Sequence, residues 1–295
     1  MAFDTIAIAV SFMAALGTLL ATLLAVANRR LYVYEDPRID EVEELLPKAN
    51  CGACGEAGCR PFAEQLVEGT IEPARCTVNS VEMNRAIADH LGVALGHAIK
   101  RIARLACAGG SHVAATRARY QGLKSCRAAA LVSGGGKGCS WGCLGLGDCE
   151  AVCEFDAIQM NRYGLPVVSS DACTACGDCA DICPKDLFSI VPEAHQLWIA
   201  CRNHDLEDEA TAHCDVVCTA CGRCVADAPE GLITLHNNLA VIDYEKSALA
   251  SRVAIERCPT GAILWLDKDR AHRGMDARKV TRKEPLPRME PLPRF

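Results

Sequence analysis

Aromatic residues are scarce in this chain: Phe, Trp and Tyr make up 5% of its 295 residues. So low a content suits small modules held together by something other than a large aromatic core. No basic segment is interleaved with aromatics, which argues against a nucleic-acid partner. Two glycine-rich stretches imitate phosphate loops and fail. Gly134-Gly-Gly-Lys137-Gly138 has Leu131 where a Walker A loop needs glycine, and no Ser or Thr follows its lysine. Gly145-Leu-Gly147 reaches Glu150 where a dinucleotide fingerprint needs a third glycine. No acid–base pair or activated nucleophile stands out either, so the sequence carries no substrate-level catalytic constellation.

What the chain has in abundance is cysteine, twenty in all. A ferredoxin-type run reads Cys-x2-Cys-x2-Cys-x3-Cys-Pro, and its fourth cysteine serves the neighbouring cluster. Cys173, Cys176, Cys179 and Cys183-Pro184 form one such run, and Cys139, Cys143, Cys149 and Cys153 form a looser partner. Crossing the fourth ligands gives two four-iron–four-sulfur sets: Cys173/Cys176/Cys179 with Cys153, and Cys139/Cys143/Cys149 with Cys183. A second run, Cys218, Cys221 and Cys224, has Ala228 in fourth place, and its mate keeps only Cys258. The mate's early ligand positions fall near Ser247, Ala250 and Val253. Cys258 therefore completes a set with Cys218, Cys221 and Cys224, while the other set of that module has lost all four ligands. Erosion by chance would leave half-sets. A further site is Cys51-Gly-Ala-Cys54-Gly-Glu-Ala-Gly-Cys59 with Cys76, whose glycines let a short loop wrap its amides around sulfur.

The reading is thus four 4Fe-4S clusters, with a fifth as one possibility for Cys107, Cys126, Cys201 and Cys214. Their spacing carries no tight signature. A zinc site from Cys201, His204, His213 and Cys214 competes with that fifth cluster, as do plain buried thiols or a disulfide. For the main sets, evenly spaced triplets with a remote Cys-Pro favour a cubane over zinc or disulfides.

Residues Thr5 to Ala27 form an uncharged stretch long enough to cross a bilayer of about 30 Å. Asp4 precedes it, where a secretory signal would want a basic start. Arg29 and Arg30 close it, which places the body on the cytoplasmic side of an inner (cytoplasmic) membrane, as a single-pass protein. Gly17, Ala21 and Ala25 fall at four-residue spacing, as a close-packing helix face would.

Charge is segregated. Residues 85–137 carry nine lysines and arginines against Asp89 alone, and residues 148–215 carry fourteen acidic residues against Arg162, Lys185 and Arg202. A basic face beside an acidic module would steer an acidic carrier such as soluble ferredoxin or flavodoxin. The same cations could instead offset cluster charge or touch anionic lipid.

The expected fold class is α+β: a transmembrane helix (1–30), a small helical 4Fe-4S domain (31–85), a basic linking segment (86–127), a bacterial two-cluster ferredoxin-like domain (128–195), a degenerate one-cluster ferredoxin-like domain (196–266) and a Pro-rich disordered tail (267–295). Residues 60–106 are expected to be helical, capped at Asn79 or Ser80, with an apolar run through Ile87, Leu91, Leu95, Ile99 and Ile102. The doubled Glu-Pro-Leu-Pro-Arg at 284–288 and 290–294 favours polyproline II.

Several stretches resemble the B subunit of the Rnf complex, the membrane ferredoxin:NAD oxidoreductase. They are Glu35-Asp-Pro-Arg38, Leu46-Pro-Lys-Ala-Asn-Cys51-Gly-Ala-Cys54-Gly, Cys139-Ser-Trp-Gly-Cys143-Leu-Gly-Leu-Gly-Asp-Cys149 and Asn238-Leu-Ala-Val-Ile-Asp-Tyr-Glu-Lys246. The resemblance implies a membrane-anchored electron-transport subunit of a translocase. It would exchange electrons with soluble ferredoxin and relay them to membrane partners carrying flavins and iron–sulfur centres, coupled to ion movement and NAD reduction. An electron-input subunit of another membrane reductase, or an iron–sulfur redox sensor or scaffold, would account for the same modules. The set missing near Ser247 and the doubled proline tail depart from longer family members.

Overall fold

In the computed structural model of the protein, residues 2–31, 34–97, 99–268 and 270–278 are described. The proline repeats at 284–288 and 290–294 lie outside them. Helix α1 (Ala2–Leu31) is apolar enough to span a membrane over Ala7–Leu31, with a mean hydropathy of 2.2 and none of that window buried. Thr18 and Thr22 turn their hydroxyls back onto carbonyls of the preceding turn, so these polar groups are satisfied within the helix. Arg29 and Arg30 sit in its last turn.

Helix α2 (Pro37–Leu45) starts where Asp36 accepts from the Arg38 amide, with Pro37 in the first helical position. Helix α3 (Cys59–Glu68) and helix α4 (Val81–Leu91) complete a small helical unit around Val42, Leu46, Phe62, Leu66 and Ile87. Ser80 caps α4 by accepting from the Met83 amide at 3.2 Å. Gly92 at φ 66° then ends it, because its left-handed backbone cannot continue the helix. The expected apolar run through Ile99 and Ile102 is therefore not helical. Ile102 lies in strand β1 (Arg101–Leu105), and Ile99 is exposed.

After α5 (Cys126–Leu131) and α6 (Asp148–Ala151) comes the hairpin of β2 (Ile158–Met160) and β3 (Pro166–Val168). Helix α7 (Asp178–Asp181) leads to β4 (Phe188–Pro192), which pairs antiparallel with β1, Ala103 opposite Ile190. A strand from the stretch expected to be a linker thus closes the first cysteine-rich module.

The second module begins at β5 (Leu197–Ile199) and runs through α8 (Glu207–His213), α9 (Arg223–Asp227), β6 (Ile233–His236), β7 (Leu239–Ile242), α10 (Val253–Glu256), β8 (Ile263–Asp267) and β9 (Arg270–His272). Strands β5, β8 and β9 form one sheet, and β6 and β7 a separate hairpin. Trp198 on β5 donates its indole N–H to the Leu105 carbonyl at 2.9 Å, tying the two modules together.

Candidate metal centres

The two modules repeat one short frame. Cys173-Thr-Ala-Cys176-Gly-Asp-Cys179 and Cys218-Thr-Ala-Cys221-Gly-Arg-Cys224 share every residue but one. Their backbones repeat as well: Ala175 and Gly177 stand at φ 64° and 102°, Ala220 and Gly222 at 51° and 76°. Two left-handed residues in three curl the loop so that its cysteines face one point. Each loop then enters a short helix, α7 or α9, that carries the third cysteine. Gly147, at φ 84°, precedes α6 and Cys149 in the same way.

Each curled loop lines a cavity. Cys153, Cys173, Cys176 and Cys179 line one of them. Cys218, Cys221, Cys224 and Cys258 line the other. Each grouping unites cysteines that the crossed-ligand rule joins. The Ala103 amide of β1 points at Cys173 Sγ at 3.4 Å, so the paired strand adds a donor to the first cavity. Cys221 is exposed, whereas every other cysteine is at least partly buried. In the helical unit, Cys54, Cys59 and Cys76 pack on its core, and burial, with nearby Cys54 and Cys51 adding to it, disfavours the ionised form of Cys76. Asn50, at φ 48°, accepts from the Cys59 amide at 2.8 Å and draws the loop onto α3. Thr77, next to Cys76, donates to the carbonyl of Thr174, between Cys173 and Cys176, at 2.7 Å.

The remaining eight cysteines are arranged differently from the expected sets. Cys139 lines a cavity with Cys107, Cys201 and Cys214. Cys126 lies apart from these, beside Cys143 and Cys149, and Cys149 also neighbours Cys183. Backbone pairing explains the exchange. The Gly138 amide donates to Ala115 and Thr116 bridges Lys137, which carries Cys139 toward the 107–116 segment. The Asp148 carboxylate accepts from the Cys126 amide at 2.9 Å, from the Arg127 amide at 3.1 Å and from the Ser125 hydroxyl at 2.9 Å. That grip fixes Cys126 next to the start of α6. Spacing rules point neither to Asp148 nor to Lys137, whose ammonium is held by the carbonyls of Gly109 and Cys143.

Burial, joined by neighbouring cysteines, pushes the thiols of Cys143, Cys149, Cys179 and Cys224 up to about 12 and that of Cys214 to about 11. Thiols so grouped shed their protons only to a cation, and the donor set is all sulfur, as soft iron–sulfur chemistry requires. Among the described residues no three His, Cys, Asp or Glu side chains close on a single ion. Tetrahedral zinc with thiolates at about 2.3 Å needs its sulfurs within roughly 4 Å of one another. A zinc site would also lack its histidines: His204 Nδ1 meets the Asn237 carbonyl at 2.8 Å and His213 Nε2 meets Arg117 at 2.8 Å.

Outside Cys126 the surface is basic and apolar together. Arg119, Lys124 and Arg127 are exposed, as are Leu123, Leu131 and Val132. Arg104 and Lys137, by contrast, are drawn inside, Arg104 donating to the Glu193 carbonyl.

Comparison with known proteins adds independent findings. An Fe-S cluster family model matches residues 46–78, and a 4Fe-4S binding domain matches residues 166–188. The chain is 40% identical over 260 residues to the B subunit of the Na(+)-translocating ferredoxin:NAD(+) oxidoreductase complex of Acetobacterium woodii, covering 88% of this chain and 78% of that one. It is 36% identical to the B subunit of the ion-translocating oxidoreductase complex of Methanosarcina acetivorans, over 86% of this chain and 96% of the relative. It is 34% identical to the B subunit of the proton-translocating ferredoxin:NAD(+) oxidoreductase complex of Clostridium ljungdahlii, over 88% and 92%.

Proposed function

The chain belongs to the family of B subunits of ion-translocating ferredoxin:NAD(+) oxidoreductase complexes, and on that premise we propose how it serves electron transfer in such a complex. Cys51, Cys54, Cys59 and Cys76 hold one 4Fe-4S cluster. Cys153, Cys173, Cys176 and Cys179 hold a second, and Cys218, Cys221, Cys224 and Cys258 a third. Cys143, Cys149 and Cys183 supply ligands to a fourth. When bound, such clusters supply one-electron redox chemistry without making or breaking substrate bonds. The protein's own part is to place the sites and aim amides at their sulfurs.

The observation that carries the reading is the contact between Thr77 and Thr174. It joins the backbone beside Cys76 to the loop between Cys173 and Cys176. The anchor-side site thereby abuts the first module, and the route runs from the module's clusters toward the membrane. Partner subunits with flavins and iron–sulfur centres receive electrons there, or return them. Helix α1 crosses the cytoplasmic membrane, with Arg29 and Arg30 holding the body on the cytoplasmic side.

The soluble partner is a small acidic carrier, ferredoxin or flavodoxin. It docks on Arg119, Lys124 and Arg127 around exposed Leu123 and Leu131, a basic rim about an apolar centre, next to Cys126. Reversing both Lys124→Glu and Arg127→Glu in anaerobically loaded protein should slow its reduction by reduced ferredoxin about tenfold or more at low salt. Stopped-flow bleaching of the visible band measures this, and the difference should shrink as salt rises. An unchanged rate, with the same salt dependence as wild type, would move the docking face elsewhere.

A further inference from the structure

The cavity between the two modules is a site that neither family match covers, since these stop at residue 78 and span 166–188. Its four cysteines come from four separate segments. The Ala108 amide donates to Ala200, which sets Cys107 beside Cys201. An antiparallel bridge between Ala114 and Cys214 brings in the third, and the Gly138–Ala115 hydrogen bond brings in Cys139. Each sulfur is addressed by the surrounding chain. Asn203 donates its side-chain amide to Cys139 Sγ at 3.3 Å and its backbone amide to Cys201 Sγ at 3.4 Å. Cys107 Sγ accepts from the Cys143 amide at 3.4 Å. Gly109 lets the backbone pass close to the remaining pair: a Cβ there would stand 3.1 Å from Cys214 Sγ and 3.7 Å from Cys107 Sγ. Lys137 lines the same cavity and supplies a positive charge.

Buried free thiols would need none of this. Their weak hydrogen-bonding capacity is satisfied by ordinary packing, and amides are not spent on them. Amides converging on grouped sulfurs, with a cation alongside, are what thiolates bound to a metal centre require. We infer that Cys107, Cys139, Cys201 and Cys214 hold a fifth four-iron–four-sulfur cluster, and that Cys126 takes the place of Cys139 in the set with Cys143, Cys149 and Cys183. All twenty cysteines then fall into complete sets. The site also fills the gap between modules. Cys201 Sγ accepts from the Cys218 amide at 3.4 Å, on the side of the second module, and Cys107 Sγ faces Cys143 on the side of the first. Resting on the relay reading above, the fifth site makes the second module continuous with the rest of the route.

Iron and acid-labile sulfide counts on anaerobically prepared full-length protein test it, with Mössbauer spectra to verify cubane iron. Wild type should carry about twenty irons and Cys201→Ala about sixteen, at about four per set of cysteines. Two double variants separate this partition from the spacing-based one. Cys139→Ala with Cys201→Ala should lose about four irons, because both serve one cluster. Cys126→Ala with Cys201→Ala should lose about eight, because they serve different ones. The reverse pattern overturns the proposal. Should a variant lose its far-ultraviolet circular dichroism, the wild-type count decides alone: about sixteen irons or fewer overturns the fifth site. These counts do not depend on electron flow, so a full count supports the site even in protein that ferredoxin fails to reduce.

Discussion

The two modules start from the same loop and end with different interiors. In the first, the core is rich in sulfur: Cys149 and Cys179 are buried with Ala103, Ile158 and Phe188, and Cys153, Cys173 and Cys183 pack against them. In the second, two of the four places that further ligands would occupy, Ala228 and Ala250, are apolar and packed inside. Val225, Ala228, Tyr244 and Ala250 pack onto Leu232, Ile233, Ile242, Ala254, Ile255 and Ile263. The helix pair is altered to match. Where the first module has Val152 and Ile182 before Cys153 and Cys183, the second has Arg257 and Asp227 before Cys258 and Ala228, and those two are joined by hydrogen bonds of 2.8 and 3.1 Å. Where the first module has sulfur, the second has carbon inside and an ion pair at the rim. The first module's stability is therefore linked to metal, and the second's rests in greater part on hydrophobic burial.

The largest test of that contrast is to remove the iron. In apoprotein prepared with chelator and reductant, backbone amides of β2, β3 and β4 should exchange with solvent roughly a hundredfold faster or more than in loaded protein, since metal binding there is folding free energy. Amides of β5, β6, β7 and β8 should keep most of their protection. Hydrogen exchange followed by mass spectrometry resolves the two regions. Equal loss in both would mean that the apolar core does not stand in for the missing cluster.

A smaller effect sharpens the same point from the carbon side. Ile255 is 2% exposed and central to the second core. Ile255→Ala should destabilise that module by about 2–5 kcal/mol, through lost transfer energy and the cavity left behind. Because the contribution is hydrophobic, its size should be similar in loaded and apo protein. Denaturant midpoints read by Trp198 and Trp265 fluorescence measure it, both indoles lying in the second module. A cost that disappears on iron removal would place Ile255 in service to the remaining cluster.

How far the sequence went can be traced to the range of each interaction. The span of α1, the Ser80 cap and the tightly spaced cysteine triplets rest on neighbours within one or two turns, so their signals are local, while the fourth cysteine of each set is remote. The stretch 86–127 read as a linker because its alternation, Arg101-Ile-Ala-Arg104-Leu, is short and follows a helix. Only pairing with β4, some ninety residues on, makes it a strand. The placing of Cys139 with Cys107, Cys201 and Cys214, and of Cys126 beside Cys143 and Cys149, has the same origin. Asp148 reaches back to Cys126 and Ala115 reaches forward to Gly138, and neither contact leaves a spacing pattern. Among the cations of residues 85–137, Arg104 is buried and Lys137 half-buried, while Arg119, Lys124 and Arg127 face solvent.

The ion pair at the rim of the second module offers the finest distinction, because its effect depends on pH in a known direction. The guanidinium of Arg257, through its hydrogen bonds, holds the Asp227 carboxyl below the usual range. A carboxylate whose folded pKa lies below its unfolded value stabilises the fold at pH above the unfolded value, about 3.9 for aspartate. That contribution fades as pH falls from there through the lowered folded pKa. Asp227→Asn should therefore lower the denaturant midpoint by a small, constant amount between about pH 5 and 7, and the gap to wild type should close below about pH 4. Raising salt should narrow it too, since Arg257 stands in solvent and the pair is screened. The first module, with Val152 and Ile182 in the matching places, has no carboxylate there to titrate. Ile182→Asn in that module should accordingly show a cost that is flat across the same pH range. A pH-independent cost at Asp227 as well would mean that its hydrogen-bond geometry, and not its charge, supports the fold at that rim.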